Sequence, residues 1–81
     1  MNIKDIINKM LWDRKERKED YSFYYIDRIT KKDVEINGGD ILRLDGSFIV
    51  VKKNDEEIEI PIHRIRAAKK GNKIIFLRKQ K

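Results

Sequence analysis

His63, Arg64 and Arg66 fall within the run Ile60-Pro61-Ile62-His63-Arg64-Ile65-Arg66, beside the chain's only proline and only histidine. Their shared chemistry is anion recognition. An arginine fork matches two oxygens of a phosphate, and an imidazole adds a donor when protonated or in the matching tautomer. Alternation through the preceding residues places Ile58, Ile60 and Ile62 inward and Glu57, Glu59, Pro61 and His63 outward, so His63 is expected outside the core. The step from Ile62 to Ile65 breaks the period of two, and Pro61 withholds a ladder donor. A turn or bulge is therefore expected here, with His63, Arg64 and Arg66 exposed side by side. Two readings stand: a phosphate-facing site, or an ordinary charged strand end.

Catalysis asks for more than this cluster holds. Acid-base work on a phosphodiester usually needs a proton acceptor and a donor, and one histidine fills a single role. An enzyme is not expected; phosphodiester chemistry at His63 would need Asp13 or a tyrosine as its partner. With no cysteine and one histidine, neither a thiolate metal site nor a histidine cage can form, and no cofactor is expected. Gly38-Gly39-Asp40 is not a phosphate-cradling fingerprint, because no helix-opening lysine and hydroxyl follow. It reads as a turn in which glycine supplies positive φ.

Trp12 and the aromatic run Tyr21, Phe23, Tyr24, Tyr25 admit two roles. They can be core, or platforms on which unpaired bases stack. Trp12 lies 100° past Leu11 on a helix, at the edge of the apolar face, and packing at a helix-sheet seam is the favoured reading.

Charge is distributed in one direction. From Met1 to His63 there are 12 Lys+Arg against 14 Asp+Glu, whereas Arg64 to Lys81 holds 8 basic residues and no acidic one, so the net +6 lies wholly in the last 18 residues. A one-sided basic segment is the footprint of a polyanion binder; its plainer alternative is a solubilising tail. Charged residues make up 42% of the chain, a level that suits the ion-pair-rich surfaces of heat-adapted proteins.

The elements that must position these residues are short. At 81 residues and 40% hydrophobic content, one domain over residues 1–81 is expected, with a surface site rather than an enclosed pocket. Nothing near Met1 resembles a signal peptide and no apolar run approaches a membrane span, so a soluble, cytoplasmic protein with no membrane partner is expected. Ile3, Ile6, Ile7, Met10 and Leu11 share one helix face, capped by Asn2 and ending near Asp13. Residues 13–20, DRKERKED, contain no apolar side chain and read as a solvated loop. From Tyr21 the period becomes two; turns are expected at Asn37-Gly38-Gly39, at Asp45-Gly46 with type I′ geometry, at Asn54-Asp55 and at Lys70-Gly71-Asn72. The fold class is α+β: one N-terminal helix packed on a curled antiparallel sheet of about five strands.

Leu11-Trp12-Asp13, the strand Tyr24-Tyr25-Ile26-Asp27-Arg28 and Ile60-Pro61-Ile62-His63-Arg64-Ile65 together resemble a small, mainly archaeal family, the RNA cyclic group end recognition domain. The likeness runs from about Ile3 to Arg78; Arg14 stands where that family often has proline. The resemblance implies a role in RNA processing or repair and, as ligand, an RNA 3′ end with a 2′,3′-cyclic phosphate. It implies Trp12, Asp13, Tyr25, Arg28, His63 and Arg64 as site residues. Asp13 and Arg28 rest on the resemblance alone, and Asp13 could instead orient His63 or pair with Arg64. The expected function is a non-catalytic RNA-binding module; the alternatives are an RNA phosphoesterase and a protein-interaction module without end specificity.

Overall fold

The computed structural model describes residues 2–78; Lys79 and Lys81, the last two charges of the basic segment, lie outside the described residues. The i, i+3, i+4, i+7 spacing of Ile3, Ile6, Ile7 and Met10 builds α1 (Ile3–Trp12), which buries all four. Asn2 caps it by accepting from the Asp5 N–H at 2.9 Å, and Asp5 sits in the first turn, where a carboxylate favours the positive end of the dipole.

Seven antiparallel strands follow: β1 (Tyr21–Ile26), β2 (Asp33–Asn37), β3 (Ile41–Asp45), β4 (Phe48–Lys53), β5 (Glu56–Pro61), β6 (Ile65–Lys70) and β7 (Lys73–Leu77). They form two sheets, in the orders β2-β1-β6-β7 and β3-β4-β5. The α+β class holds, but the expected single sheet of about five strands is corrected. The middle hairpins pair only with each other, and β6 returns to pair with β1, matching Phe23 with Ala68. Two 3₁₀ turns, Gly38–Asp40 and Ile62–Arg64, carry the chain from one sheet to the other and back.

The core fills the space among the helix and both sheets. Ile7, Phe23, Ile41, Ile49, Ile65 and Ala68 are fully shielded from solvent; complete burial of a side chain the size of Phe23 contributes about 1.5–3 kcal/mol. Ile58, expected inward, is 38% exposed, because β5 is the outer strand of its sheet and that position lies beyond the cover of the other layer.

Turn chemistry departs from expectation at two places. Gly38 and Gly39 do not adopt positive φ; the glycines that do are Gly46 (60°) and Gly71 (61°). Gly38 is required for space instead, since a Cβ there would lie 2.3 Å from the Lys18 carbonyl oxygen and 2.8 Å from Met10 Sδ. The β3-β4 loop is Gly46-Ser47, with positive φ at Gly46 alone, the pattern of a type II′ rather than a type I′ turn. Asn54 (52°) and Asp55 (64°) both take positive φ and so supply the type I′ pattern between β4 and β5.

The segment DRKERKED is only partly solvated. Glu16 folds back, its side chain 9% exposed, to pair with Lys70 of β6 at 2.7 Å and with Lys9 of α1 at 3.7 Å, and Lys18 donates its ammonium to the Ile41 carbonyl. A loop without apolar residues is thus tied down by its charges. The pairing with Lys70 holds the Glu16 carboxyl below its ordinary range and raises Lys70, while burial, reinforced by Glu16, raises Tyr21.

Candidate nucleic-acid interface

Arg28 sits in the β1-β2 loop, whose shape is set by local bonds. The Asp27 carboxylate accepts from the Ile29 N–H at 2.9 Å, the Asp27 carbonyl accepts from the Lys31 N–H at 2.8 Å, and Lys31 takes φ of 57°. These bonds present Arg28 and Ile29 at the loop's outer side, with Ile29 91% exposed. Arg64 is presented by the 3₁₀ turn Ile62–Arg64, fastened by the Ile62 N–H to the Ser47 carbonyl at 2.9 Å and by the buried Ile62 and Ile65 on either side.

The loop and the turn converge. A hollow of about 340 Å³ is lined by Tyr25, Asp27 and Arg28 from the first hairpin, by residues 58–61 of β5, and by Arg64. It lies where the two sheets meet. Among the described residues neither Arg28 nor Arg64 takes part in an ion pair or a side-chain hydrogen bond, so both guanidinium groups are available to an outside anion. Tyr25, half-buried on the inner side of β1, gives the hollow an aromatic wall beside Ile58, Ile60 and Pro61. Two carboxylates, Asp27 and Glu59, line the same hollow as the two arginines, so an anion of low charge suits the site better than one of high charge.

The expected trio of His63, Arg64 and Arg66 is split. A 3₁₀ turn rotates each residue by about 120°, so exposed His63 points away from its neighbour and does not line the Arg64 hollow. Arg66 is displaced by a β-bulge: Tyr24 pairs with Ala67 and Tyr25 with Ile65, leaving Arg66 as the extra residue. It lines a separate hollow of about 280 Å³ with Tyr24, Lys69 and Arg78.

Trp12 and Asp13 stand apart from both. Trp12 is 80% exposed, which corrects its expected place in the helix-sheet seam. Met10 is the last fully buried residue of the helix, and Trp12 lies about 200° around the helix from it, on nearly the opposite face. It borders a third hollow of about 440 Å³ with Leu11, Lys18, Leu42 and Arg43. Asp13 follows the helix end and accepts from the Lys15 N–H at 2.9 Å, so its observed bond is local, to neither His63 nor Arg64. No three acidic or histidine side chains among the described residues are grouped to hold a metal ion, and no helix is long and apolar enough to cross a membrane.

Sequence reasoning joined Tyr25, Arg28 and Arg64 in one site only through the family resemblance, and it did not name Glu59 as a lining residue. It gave Tyr24 the same two roles as the other aromatics, although their alternation sets it on the opposite face. The available signal was phase: Tyr24 alternates against Tyr21, Phe23 and Tyr25, of which the first two are buried.

The family model of the MJ1316 RNA cyclic group end recognition domain matches residues 1–78. A UPF0248 protein of Saccharolobus islandicus is 32% identical over 81 residues, covering 96% of this chain and all of the relative. A UPF0248 protein of Metallosphaera sedula is 37% identical over 78 residues, covering 96% of this chain and 94% of its own, and one of Saccharolobus solfataricus is 36% identical over 66 residues, covering 80% and 79%. No solved structure matches the chain significantly.

Proposed function

We propose, for a chain that belongs to the MJ1316 RNA cyclic group end recognition domain family, that it is a non-catalytic RNA-binding module which grips a terminal 2′,3′-cyclic phosphate. The observation that carries the reading is the convergence of Arg28 and Arg64, from distant parts of the chain, on one hollow with Tyr25 as its wall. The family's name supports RNA and its cyclic end; the hollow supplies a chemistry that fits both.

A cyclic phosphate carries one negative charge and two free oxygens, which two arginines flanking the hollow can share. A 3′-monophosphate carries close to two charges at neutral pH and would meet Asp27 and Glu59 in the same hollow. The carboxylates therefore disfavour the open phosphate more than the cyclic one. Tyr25 and the apolar side chains of β5 offer a surface to the terminal ribose and base.

Binding without turnover is the second half of the proposal. His63 does not line the hollow, and among the described residues it makes no side-chain hydrogen bond that would orient it as an acid or base. Incubation of a cyclic-phosphate dinucleotide at high protein concentration should leave it intact. Hydrolysis that disappears in His63→Ala would reverse this half. For the first half, Arg64→Ala should weaken binding of a cyclic-ended RNA about tenfold or more, in the range of a charged hydrogen bond. It should also flatten the salt dependence by about 0.7 in log-log slope, one phosphate contact on a single strand. Equal slopes for variant and parent would remove Arg64 from the site.

A further inference from the structure

We infer that the open face of the β2-β1-β6-β7 sheet is a second RNA subsite, where a base upstream of the 3′ end stacks on Tyr24 while Arg66 and Lys69 hold the adjoining phosphates. The inference rests on the reading of the chain as an RNA binder and extends it from the terminus to the body of the strand.

Phase comes first. Tyr21 and Phe23 point into the core, so Tyr24 between Phe23 and Tyr25 points to the opposite face, where its register partners are Glu35 on β2 and Ala67 on β6. The bulge comes second. Ile65 and Ala68 are both fully buried, and the two residues between them, Arg66 and Ala67, are both placed outward only because the bulge absorbs one position. Ala67 leaves the ring's flank low while Arg66 stands beside it, and a hollow of about 280 Å³ opens there.

The charges around the ring suit a phosphate backbone. Lys69 Nζ lies 5.6 Å from the Tyr24 ring centroid, so a flexible ammonium already rests on the face a base would take and can move onto a neighbouring phosphate. Arg78 lines the same hollow, its Nε fixed by the Ile65 carbonyl at 3.0 Å. Asp33 lines the same hollow and Glu35 is the register partner of Tyr24 on β2, so phosphates are disfavoured at the β2 edge and the favoured path runs over β6 and β7, where Arg66, Lys69 and Arg78 lie. On β7, Ile74 and Leu77 are 54% and 70% exposed on the same face, register partners of Lys69 and Ala67. Apolar and aromatic surface interleaved with lysine and arginine is the composition that single-strand binders present to stacked bases and phosphates. Arg66 follows Arg64 by two residues, across the end of the 3₁₀ turn and the bulge, so the terminal hollow and this face are neighbours along the chain.

The test compares cyclic-ended RNAs of two and six nucleotides by fluorescence anisotropy, with the parent, Tyr24→Leu, Tyr24→Phe and a double Arg66→Gln/Lys69→Gln variant. The hexanucleotide should bind the parent more tightly than the dinucleotide. Tyr24→Leu should lose about tenfold on the hexanucleotide, within the range of one base-aromatic stack, and nothing on the dinucleotide, while Tyr24→Phe keeps the parent's affinity. The double variant should lower the hexanucleotide salt slope by about 1.4, two phosphate contacts on a single strand. Equal affinity for the two lengths, or a Tyr24→Leu variant that binds the hexanucleotide like the parent, overturns the subsite. Should Tyr24→Leu fail to fold, an unchanged slope in the double variant overturns it alone. Displacement of the hexanucleotide by polyglutamate at matched charge would point to an acidic protein partner and also overturn it. The two proposals fail separately: end preference without Tyr24 dependence removes only this subsite, and Tyr24 dependence without end preference removes only the terminal-phosphate reading.

Discussion

Replacing Gly38 with alanine adds one methyl at the point where the helix, the charged loop and the first sheet touch. The added Cβ would lie 2.3 Å from the Lys18 carbonyl oxygen, 2.8 Å from Met10 Sδ and 2.9 Å from Tyr21 Cβ. Methionine can swing away, but Lys18 O is backbone of the 3₁₀ turn Lys18–Asp20 and Tyr21 Cβ is fixed at the start of β1. Relief therefore requires separating the loop from the Gly38–Asp40 turn. Overpacking in a well-packed interior costs about 1–3 kcal/mol, and with two of three contacts unyielding the upper end is expected, about 3 kcal/mol. For a domain of this size that lowers Tm by roughly 12–24 °C. Thermal and denaturant unfolding of Gly38→Ala, Gly39→Ala and Gly46→Ala give a graded check. A Cβ at Gly39 meets only the side chains of Asn37 and Glu19, and one at Gly46 meets open space but must hold φ of 60°, so about 1 kcal/mol is expected for each. A Gly38→Ala protein no less stable than Gly39→Ala would refute the idea that Gly38 is kept for space.

Further outcomes are expected. Trp12→Ala should change stability by no more than about 0.5 kcal/mol, because the indole is 80% exposed; the same substitution of a core tryptophan costs about 3–5 kcal/mol, and denaturant unfolding separates the two. Stability should form a plateau in pH, measured by urea midpoints. Glu16 sits below its ordinary 4.5, so its contribution is present above that value and is lost as acid titrates the depressed carboxyl. Lys70 sits above its ordinary 10.5 and Tyr21 above 10.0, so their contributions are present below those values and fade as alkali rises through the raised ones; Glu16→Gln should flatten the acid limb. Arg28→Ala should reproduce the loss of RNA affinity expected for Arg64→Ala, and the double variant should lose less than the sum if both hold one phosphate.

The local periodicities were legible in the sequence, and the long-range geometry was not. Ile3, Ile6, Ile7 and Met10 announce a helix that forms where expected, and Asn54-Asp55 announces a turn that takes both positive φ values. The pairing of β1 with β6 has no local signature, since its partners, from Tyr21 with Lys70 to Tyr25 with Ile65, lie far apart in the chain, and so one meander becomes two sheets. The same distance hides the hollow: only the family resemblance joined Arg28 to Arg64, and no local pattern marks them as neighbours. His63, Arg64 and Arg66 read as one cluster because they are close in sequence, yet a 3₁₀ turn and a bulge send them three ways. Glu16 and Lys18 were hidden differently, because a charged loop looks solvated unless its partners, Lys70 and the Ile41 carbonyl, are known.

The central claim is that the hollow between Arg28 and Arg64 reads a cyclic phosphate. One short RNA prepared with three 3′ ends, hydroxyl, 3′-phosphate and 2′,3′-cyclic phosphate, titrated by fluorescence anisotropy against the parent and the Arg28→Ala/Arg64→Ala variant, tests it most directly. Tightest binding of the cyclic end, with that preference erased in the variant, is the predicted result. Equal binding of all three ends by the parent, abolished equally by salt, would show a general polyanion surface and contradict the claim.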